Sequence, residues 1–366
     1  MIGCVSGSLT FCLLVALIGS GLGAEDYPDY CSTFEERPGR CVHYLECPSI
    51  NALVQKNLSG HELSTMETDM WNQARCSDRN TTFVCCQDEI NASGLEMLRN
   101  ETECGKFTLF KVTNGQRVKM GSRPWMALLK YNVATMARHQ FLCGASLISK
   151  RFVLTAAHCS INEQPIAVRL GEHDITTDED CIMVGSKKRC QLPHQDIGIE
   201  KIIMHEGYPK NITQNDIALI KLDRDVVYSA HINSICLPLY PSLQKNVLGQ
   251  TLYLVTGWGR TESGRPSDVP MEAFVKHISM EDCIKAYRGY AFAENQVCTS
   301  AGIQDSCSGD SGGPLQYPFR FYGKQRFVQA GIVSVGSRQC GIETYPSVAT
   351  NVVVFMPWIT KQMAVV

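Results

Sequence analysis

From residue 122 onward the chain is a succession of short apolar or alternating runs. Residues 124–129, 152–154, 217–222, 251–255 and 329–335 are the clearest, and Gly, Pro, Asn and Asp punctuate them. Many short strands over this length predict a mainly β domain, a barrel or a sandwich. One long helix is expected at residues 354–363, where the apolar spacing suits docking on a core rather than on a membrane. The first third reads differently. Residues 31–86 hold six cysteines and little else to build a core from, so disulfides must staple this unit. Residues 87–111 are polar and read as a linker. Residues 9–22 are almost all apolar or small, and Gly23 and Ala24 follow, which predicts a secretory signal peptide over residues 1–24. Its leading region lacks Lys and Arg. No later segment is long and apolar enough to span a membrane.

Composition narrows this picture. The chain has 366 residues, enough for two domains or for one large domain with appendages. A formal net charge of -2 carries no nucleic-acid footprint. Eighteen cysteines are present; Cys4 and Cys12 leave with the signal peptide, and the rest are even in number. Their number and spacing do not suit a cytosolic metal protein, so they read as disulfides of an oxidising compartment. Asn57, Asn80, Asn91, Asn100 and Asn211 begin glycosylation sequons, which agrees with secretion. The adjacent Cys85 and Cys86 must each reach a different partner, and spacing alone does not choose among the pairings of the six-cysteine unit.

Chemistry concentrates in three stretches. Asp305-Ser306-Cys307-Ser308-Gly309-Asp310-Ser311-Gly312-Gly313-Pro314 sets a serine among glycines. A serine hydroxyl is a poor nucleophile unless a base, an oxyanion site and exposure are provided. Glycines at 309, 312 and 313 suit a tight turn whose N–H groups point at a substrate oxygen. Thr155-Ala156-Ala157-His158-Cys159 offers the base, and Asn215-Asp216-Ile217-Ala218-Leu219 offers a carboxylate to orient it. Taken singly, each stretch also reads as an ordinary loop or strand start.

Together, in the order His, Asp, Ser, these stretches resemble the trypsin/chymotrypsin family over residues 112–366. The resemblance implies a two-barrel serine protease with Ser311 as nucleophile, His158 as general base and then acid, and Asp216 as its orienter. It implies an oxyanion hole made by the N–H groups of Gly309 and Ser311. It also implies a zymogen: cleavage after Lys111 frees the ammonium of Val112, in Val112-Thr113-Asn114-Gly115, to pair with the carboxylate of Asp310. Asp305, six residues before the serine, resembles the acidic pocket base that pairs with Arg or Lys of a substrate. Ser334 and Gly336 match the first pocket wall. Val335 replaces the usual Trp, Ser347 the second wall glycine, and Ala349 a frequent Tyr.

Glu172, Asp174, Thr177 and Asp180 resemble a calcium loop, the first and last through carboxylates and the middle two through carbonyls. Calcium is the expected cofactor, with no organic one. A basic insertion, Lys187-Lys188-Arg189, lies between Cys181 and Cys190. The two flanking cysteines, Cys181 and Cys190, are expected to bond to each other, and the resemblance further implies the pairs Cys143–Cys159, Cys283–Cys298, Cys307–Cys340 and Cys104–Cys236. The last would tie the linker to the protease after cleavage. Residues 31–86 resemble the clip domain of arthropod proteases, which implies Cys31–Cys85, Cys41–Cys76 and Cys47–Cys86. The joined architecture is similar to the insect grass and easter-like clip proteases of Toll and melanisation cascades. The implied partners are an upstream activating protease, a downstream proenzyme or cytokine precursor, and a serpin inhibitor. The competing readings are a catalytically weak clip homologue acting as a cascade cofactor or scaffold, and a digestive trypsin, which would not need the clip module.

Overall fold

The structure is a computed structural model. It describes residues 30–32, 38–76, 82–87, 90–107, 116–132, 140–208, 214–261, 264–287, 292, 295–300, 309–336 and 346–366. The signal peptide, Asn80, Lys111, Val112, Asn211, Asp305, Cys307 and Cys340 lie outside these residues.

The N-terminal unit is a three-stranded antiparallel sheet of β1 (Tyr30–Ser32), β2 (Pro38–His43) and β3 (Phe83–Cys86), with β2 central. Helices α1 (Pro48–Leu58) and α2 (Thr65–Gln73) fill the connection between β2 and β3. Pro48 opens α1, where a missing N–H costs nothing. Ser64 and Glu67 form a reciprocal capping box on α2, and Lys56 reaches Glu67 at 2.8 Å. The apolar core is only Cys47, Ile50, Leu53, Ala74, Val84 and Cys86. Disulfides Cys31–Cys85, Cys41–Cys76 and Cys47–Cys86 supply the rest. In a unit this small each is worth about 2–5 kcal/mol.

The stretch read as a plain linker contains helix α3 (Ala92–Arg99), capped by Asn91, whose side chain accepts from Ser93 and Gly94 N–H. The main domain follows with β4 (Gln116–Arg117), β5 (Met126–Lys130), β6 (Phe141–Leu147), β7 (Phe152–Thr155) and β8 (Ala167–Leu170). Next come an exposed hairpin, β9 (Cys181–Val184) with β10 (Lys187–Cys190), then β11 (Gln195–Met204) and β12 (Ala218–Leu222). Strands β11-β12-β7-β6-β5-β8 close a six-stranded barrel.

Helix α4 (Pro241–Leu248) leads into β13 (Leu252–Gly257) and β14 (Met271–Ile278). Helix α5 (Met280–Ala286), β15 (Gln296–Thr299), β16 (Pro314–Phe321), β17 (Lys324–Val335) and β18 (Ser347–Asn351) follow. The order β13-β16-β17-β18-β15-β14 closes through the β13–β14 pairing, and β4 adds to β14. This is a second six-stranded barrel. Closure removes the free edges that short strands would otherwise expose. Helix α6 (Val352–Val365) ends the chain, longer than the apolar spacing alone predicted, with Phe355, Met356, Ile359 and Met363 buried on the core.

Candidate active site

His158 sits in a 3₁₀ turn, Ala157–Ser160, directly after β7. The Cys143–Cys159 disulfide ties that turn to β6, and the Tyr131 hydroxyl donates to the Cys159 carbonyl at 2.7 Å. Asp216 lies at the start of β12, the strand paired with β7. Two neighbouring strands thus present the base and the carboxylate from adjacent ends. The pairing is double. His158 N–H donates to Asp216 Oδ1 at 2.9 Å, and Nδ1 lies 2.7 Å from Oδ2. The carboxylate is almost wholly buried at 1% exposure, while the imidazole keeps an open side. The Ser334 hydroxyl donates to Asp216 Oδ2 at 2.5 Å, and the Thr350 hydroxyl to the Asp216 carbonyl at 2.8 Å.

Burial opposes a charge on His158, but the hydrogen bond and the charge of Asp216 outweigh it and raise the imidazole above its ordinary value. The same carboxylate adds to burial in pushing Tyr208 up to about 12. The carboxylate accepts at both oxygens and so fixes the imidazole with Nδ1 as donor. The other ring nitrogen is then free to accept a proton.

Ser311 lies in the turn between Gly309 and Gly313. Its carbonyl accepts from Gly144 N–H at 2.8 Å, Gly312 N–H donates to the Val333 carbonyl at 2.8 Å, and Gly313 N–H to the Asp310 carbonyl at 2.9 Å. Gly312 has φ 79°, and a Cβ there would overlap the Thr155 hydroxyl and the Gly144 carbonyl and press on Cys159 Sγ. The serine turn is therefore pressed against the β6–β7 edge that carries His158. Gly309, at φ 106°, packs on the Gly259 backbone. Asp310 Oδ1 accepts from Gly259 N–H at 2.9 Å, in a niche that a side chain at Gly257 or Gly259 would fill.

Sequence reasoning placed Ser334 in the pocket wall, but its side chain is engaged with Asp216, so any wall role falls to its backbone. Gly336 is exposed at the end of β17, whereas Ser347 and Ala349 are buried in β18. Thr350, Asn215 and Asn295 contribute to the site without having been singled out. Asn215 stood in a quoted stretch, but nothing local marks Thr350, whose hydroxyl bonds a distant carbonyl.

In the acidic loop, the buried Glu172 carboxylate contacts Arg169 at 3.1 Å and accepts from His173 N–H. Burial and the nearby Asp180 raise it, against the pull of Arg169. Asp180 accepts from His173 and Asp174 N–H at 2.8 and 2.9 Å. The Thr177 N–H and hydroxyl both donate to the Asp174 carbonyl. A buried carboxylate held above its ordinary range, with a second carboxylate and hard oxygens around it, has the chemistry a divalent cation would relieve.

Among the described residues seven disulfides form. Besides those of the N-terminal unit and Cys143–Cys159, they are Cys104–Cys236, Cys181–Cys190 and Cys283–Cys298. Asn57 and Asn100 are exposed, and Asn91 caps α3. No described helix is long and apolar enough to cross a membrane.

Comparison with known proteins bears on this geometry. The family described as Trypsin matches residues 112–359, and the Regulatory CLIP domain of proteinases matches residues 31–86. Serine protease grass of Drosophila melanogaster is 39% identical over 96% of this chain and 95% of its own. Phenoloxidase-activating factor 3 of Holotrichia diomphalia is 39% identical over 77% of this chain and 80% of its own. The crystal structure of the Drosophila Grass clip serine protease of the Toll pathway superposes with a TM-score of 0.70, at 39% identity, over 93% of this chain and 98% of that one. A stapled N-terminal unit and two closed barrels, with a His–Asp pair beside a glycine-bounded serine turn, agree with these matches, and the chain belongs to the trypsin family of serine proteases, as a clip-domain member.

Proposed function

We propose that the chain is a secreted zymogen of a serine endopeptidase, cut after Lys111, that cleaves after Arg or Lys in another protein of an extracellular cascade. The double hydrogen bond between His158 and the buried Asp216 carries this reading, because it holds the imidazole as a base beside the serine turn. Ser311 Oγ attacks the scissile carbonyl carbon as His158 takes its proton. His158 then gives that proton to the departing amine as the C–N bond breaks, and water repeats the sequence on the acyl-enzyme. The N–H groups of Gly309 and Ser311 stabilise the oxyanion; losing one such donor costs roughly 10²–10³ in rate in comparable hydrolases.

The niche at Gly257 and Gly259 supports the zymogen reading. It holds the Asp310 carboxylate, which the new Val112 ammonium is proposed to pair with. Asp305 at the pocket base is proposed to select the basic side chain. The names of the relatives, Grass of the Toll pathway and a phenoloxidase-activating factor, support a place in a Toll or melanisation cascade. An upstream activating protease, a downstream proenzyme or cytokine precursor as substrate, and a serpin as inhibitor are the partners proposed with it. Calcium is proposed at Glu172, Asp180 and the carbonyls of Asp174 and Thr177, where it supplies charge balance to the loop. An unchanged melting curve in chelator would count against it.

The decisive experiment profiles peptide hydrolysis before and after cleavage at Lys111, with Ser311→Ala as control. Arg and Lys substrates should turn over only after the cut. Full activity in the uncut chain overturns the zymogen claim. A cut chain whose serine reacts with neither substrate nor fluorophosphonate leaves the scaffold reading in its place.

A further inference from the structure

Asn215, the residue before Asp216, has φ 56°. Among the described non-glycine residues only Tyr322, in a hairpin turn, shares a positive φ. Asn tolerates the left-handed region better than most residues, yet it still carries a cost that something must offset. Here both ends of the side chain are engaged. Nδ2 donates to the Gly207 carbonyl at 2.8 Å, and Oδ1 accepts from Asn295 Nδ2 at 2.7 Å. The direction follows from Gly207, whose carbonyl can only accept.

Asn295 is fully buried at the entrance to β15, and its carbonyl accepts from the N–H of Asn351, the cap of α6. The side chain of Asn215 is therefore gripped on one side by the first barrel and on the other by the second. Ile217 N–H donates to the Asn215 carbonyl at 2.8 Å, which closes a tight turn with Asp216 at its centre. A rotation of Asn215 must swing Asp216. The Asp216 carboxylate can serve both His158 N–H and His158 Nδ1 only while its plane is held, because each bond uses a different oxygen.

We propose that Asn295 and Asn215 form a positioning pair that sets the plane of the Asp216 carboxylate and, through it, the orientation of His158. Neither residue touches the substrate. The pair rests on the protease reading of the site and adds to it a tie across the two barrels.

The test separates backbone conformation from side-chain bonding. Asn215→Gly accepts the same φ without strain but removes both side-chain hydrogen bonds. Asn295→Ala removes the donor from the other side and leaves Asn215 intact. Both are made in the full chain, cut after Lys111, and active sites are counted with a fluorophosphonate. Each variant should lose roughly 10- to 100-fold in kcat with KM unchanged, the size of effect expected from a small misplacement of a catalytic group. The double variant should be no worse than the poorer single, as for residues that act as one unit. The downfield proton resonance of His158 Nδ1–H, read in the uncut chain, should shift or broaden in both.

Wild-type kcat and an unmoved resonance in Asn215→Gly would show that Asn215 is present for its backbone conformation alone, and the proposal fails. If Asn295→Ala does not fold, Asn215→Gly decides. If the cut wild-type chain hydrolyses nothing, the protease reading fails, and the resonance still decides the positioning claim.

Discussion

His158 is subject to two opposing influences, and which of them prevails determines the pH at which the site works. Burial favours the neutral ring, while the Asp216 bond and charge favour the imidazolium and prevail. Only the neutral ring can take the serine proton. Activity should therefore rise as pH climbs through the raised histidine value, with the acidic limb of kcat/KM above the ordinary 6.5. The stability linkage has the opposite sign: protonated His158 contributes stability at low pH that is lost as pH rises through the same value. An acidic limb below 6.5 in the cut enzyme would contradict this balance. Asp216→Asn should lower kcat by roughly 10⁴, the size seen on changing this carboxylate elsewhere in the trypsin family. At Gly312 the constraint is steric. Its φ of 79° and the overlap of any Cβ with Thr155 and Gly144 mean that Gly312→Ala must shift the serine turn off the first barrel. Loss of fluorophosphonate labelling with a lowered melting temperature is the expected outcome.

At the scale of elements, α3 and its docking site on α6 show most clearly what the sequence conceals. A Cβ at Gly94 would overlap the Thr360 carbonyl, and Asn91 N–H donates to the Thr360 hydroxyl at 3.1 Å. The helices thus approach backbone to backbone through a glycine. Gly94→Leu should force them apart at a cost of about 1–3 kcal/mol, as overpacking usually does, and should raise protease sensitivity around residues 87–107. Unaltered proteolysis of that variant would show that the helix can move aside freely. The strands were legible because a closed barrel demands apolar runs, such as Ala218-Leu219-Ile220 on β12 and Gly331-Ile332-Val333 on β17. Helix α3 was not. Its buried face is Gly94 and Leu98, two positions in eight residues, too few to show a helical period against a polar background. The triad residues were readable because each sits in a local word of five or more residues. Asn295 and Thr350 act across barrels, and a hydrogen bond between residues 80 or 134 positions apart leaves no local pattern.

At the scale of the molecule, the proposed cut after Lys111 would leave the N-terminal unit held on the protease by whatever joins residues 90–107 to it. The Cys104–Cys236 disulfide is one such link, but the same segment makes many other contacts. Gly105 N–H donates to the Ser234 carbonyl at 2.8 Å, and Phe327 N–H donates back to the Gly105 carbonyl at 2.9 Å. Phe107 meets Phe327 edge to face at 4.7 Å, with Arg123 on the Phe327 ring. The Glu101 carboxylate accepts from the Tyr228 hydroxyl at 2.6 Å, the Ser234 hydroxyl at 3.0 Å and Lys150 N–H at 3.2 Å. Hydrogen bonds to a charged group are worth about 1.5–3 kcal/mol each in favourable settings. Helix α3 on α6 adds apolar burial, with Leu98 in the main core. These contacts do not depend on the covalent link. A chain carrying Cys104→Ala and Cys236→Ala, once cut after Lys111, should still elute as one two-chain complex at micromolar concentration, whereas adding Glu101→Ala should release the light chain. If the double cysteine variant falls apart on cutting, the disulfide alone holds the unit. If the Glu101 change has no further effect, the carboxylate cluster is not part of the clamp. Native gel filtration followed by denaturing electrophoresis reads both outcomes in one sample.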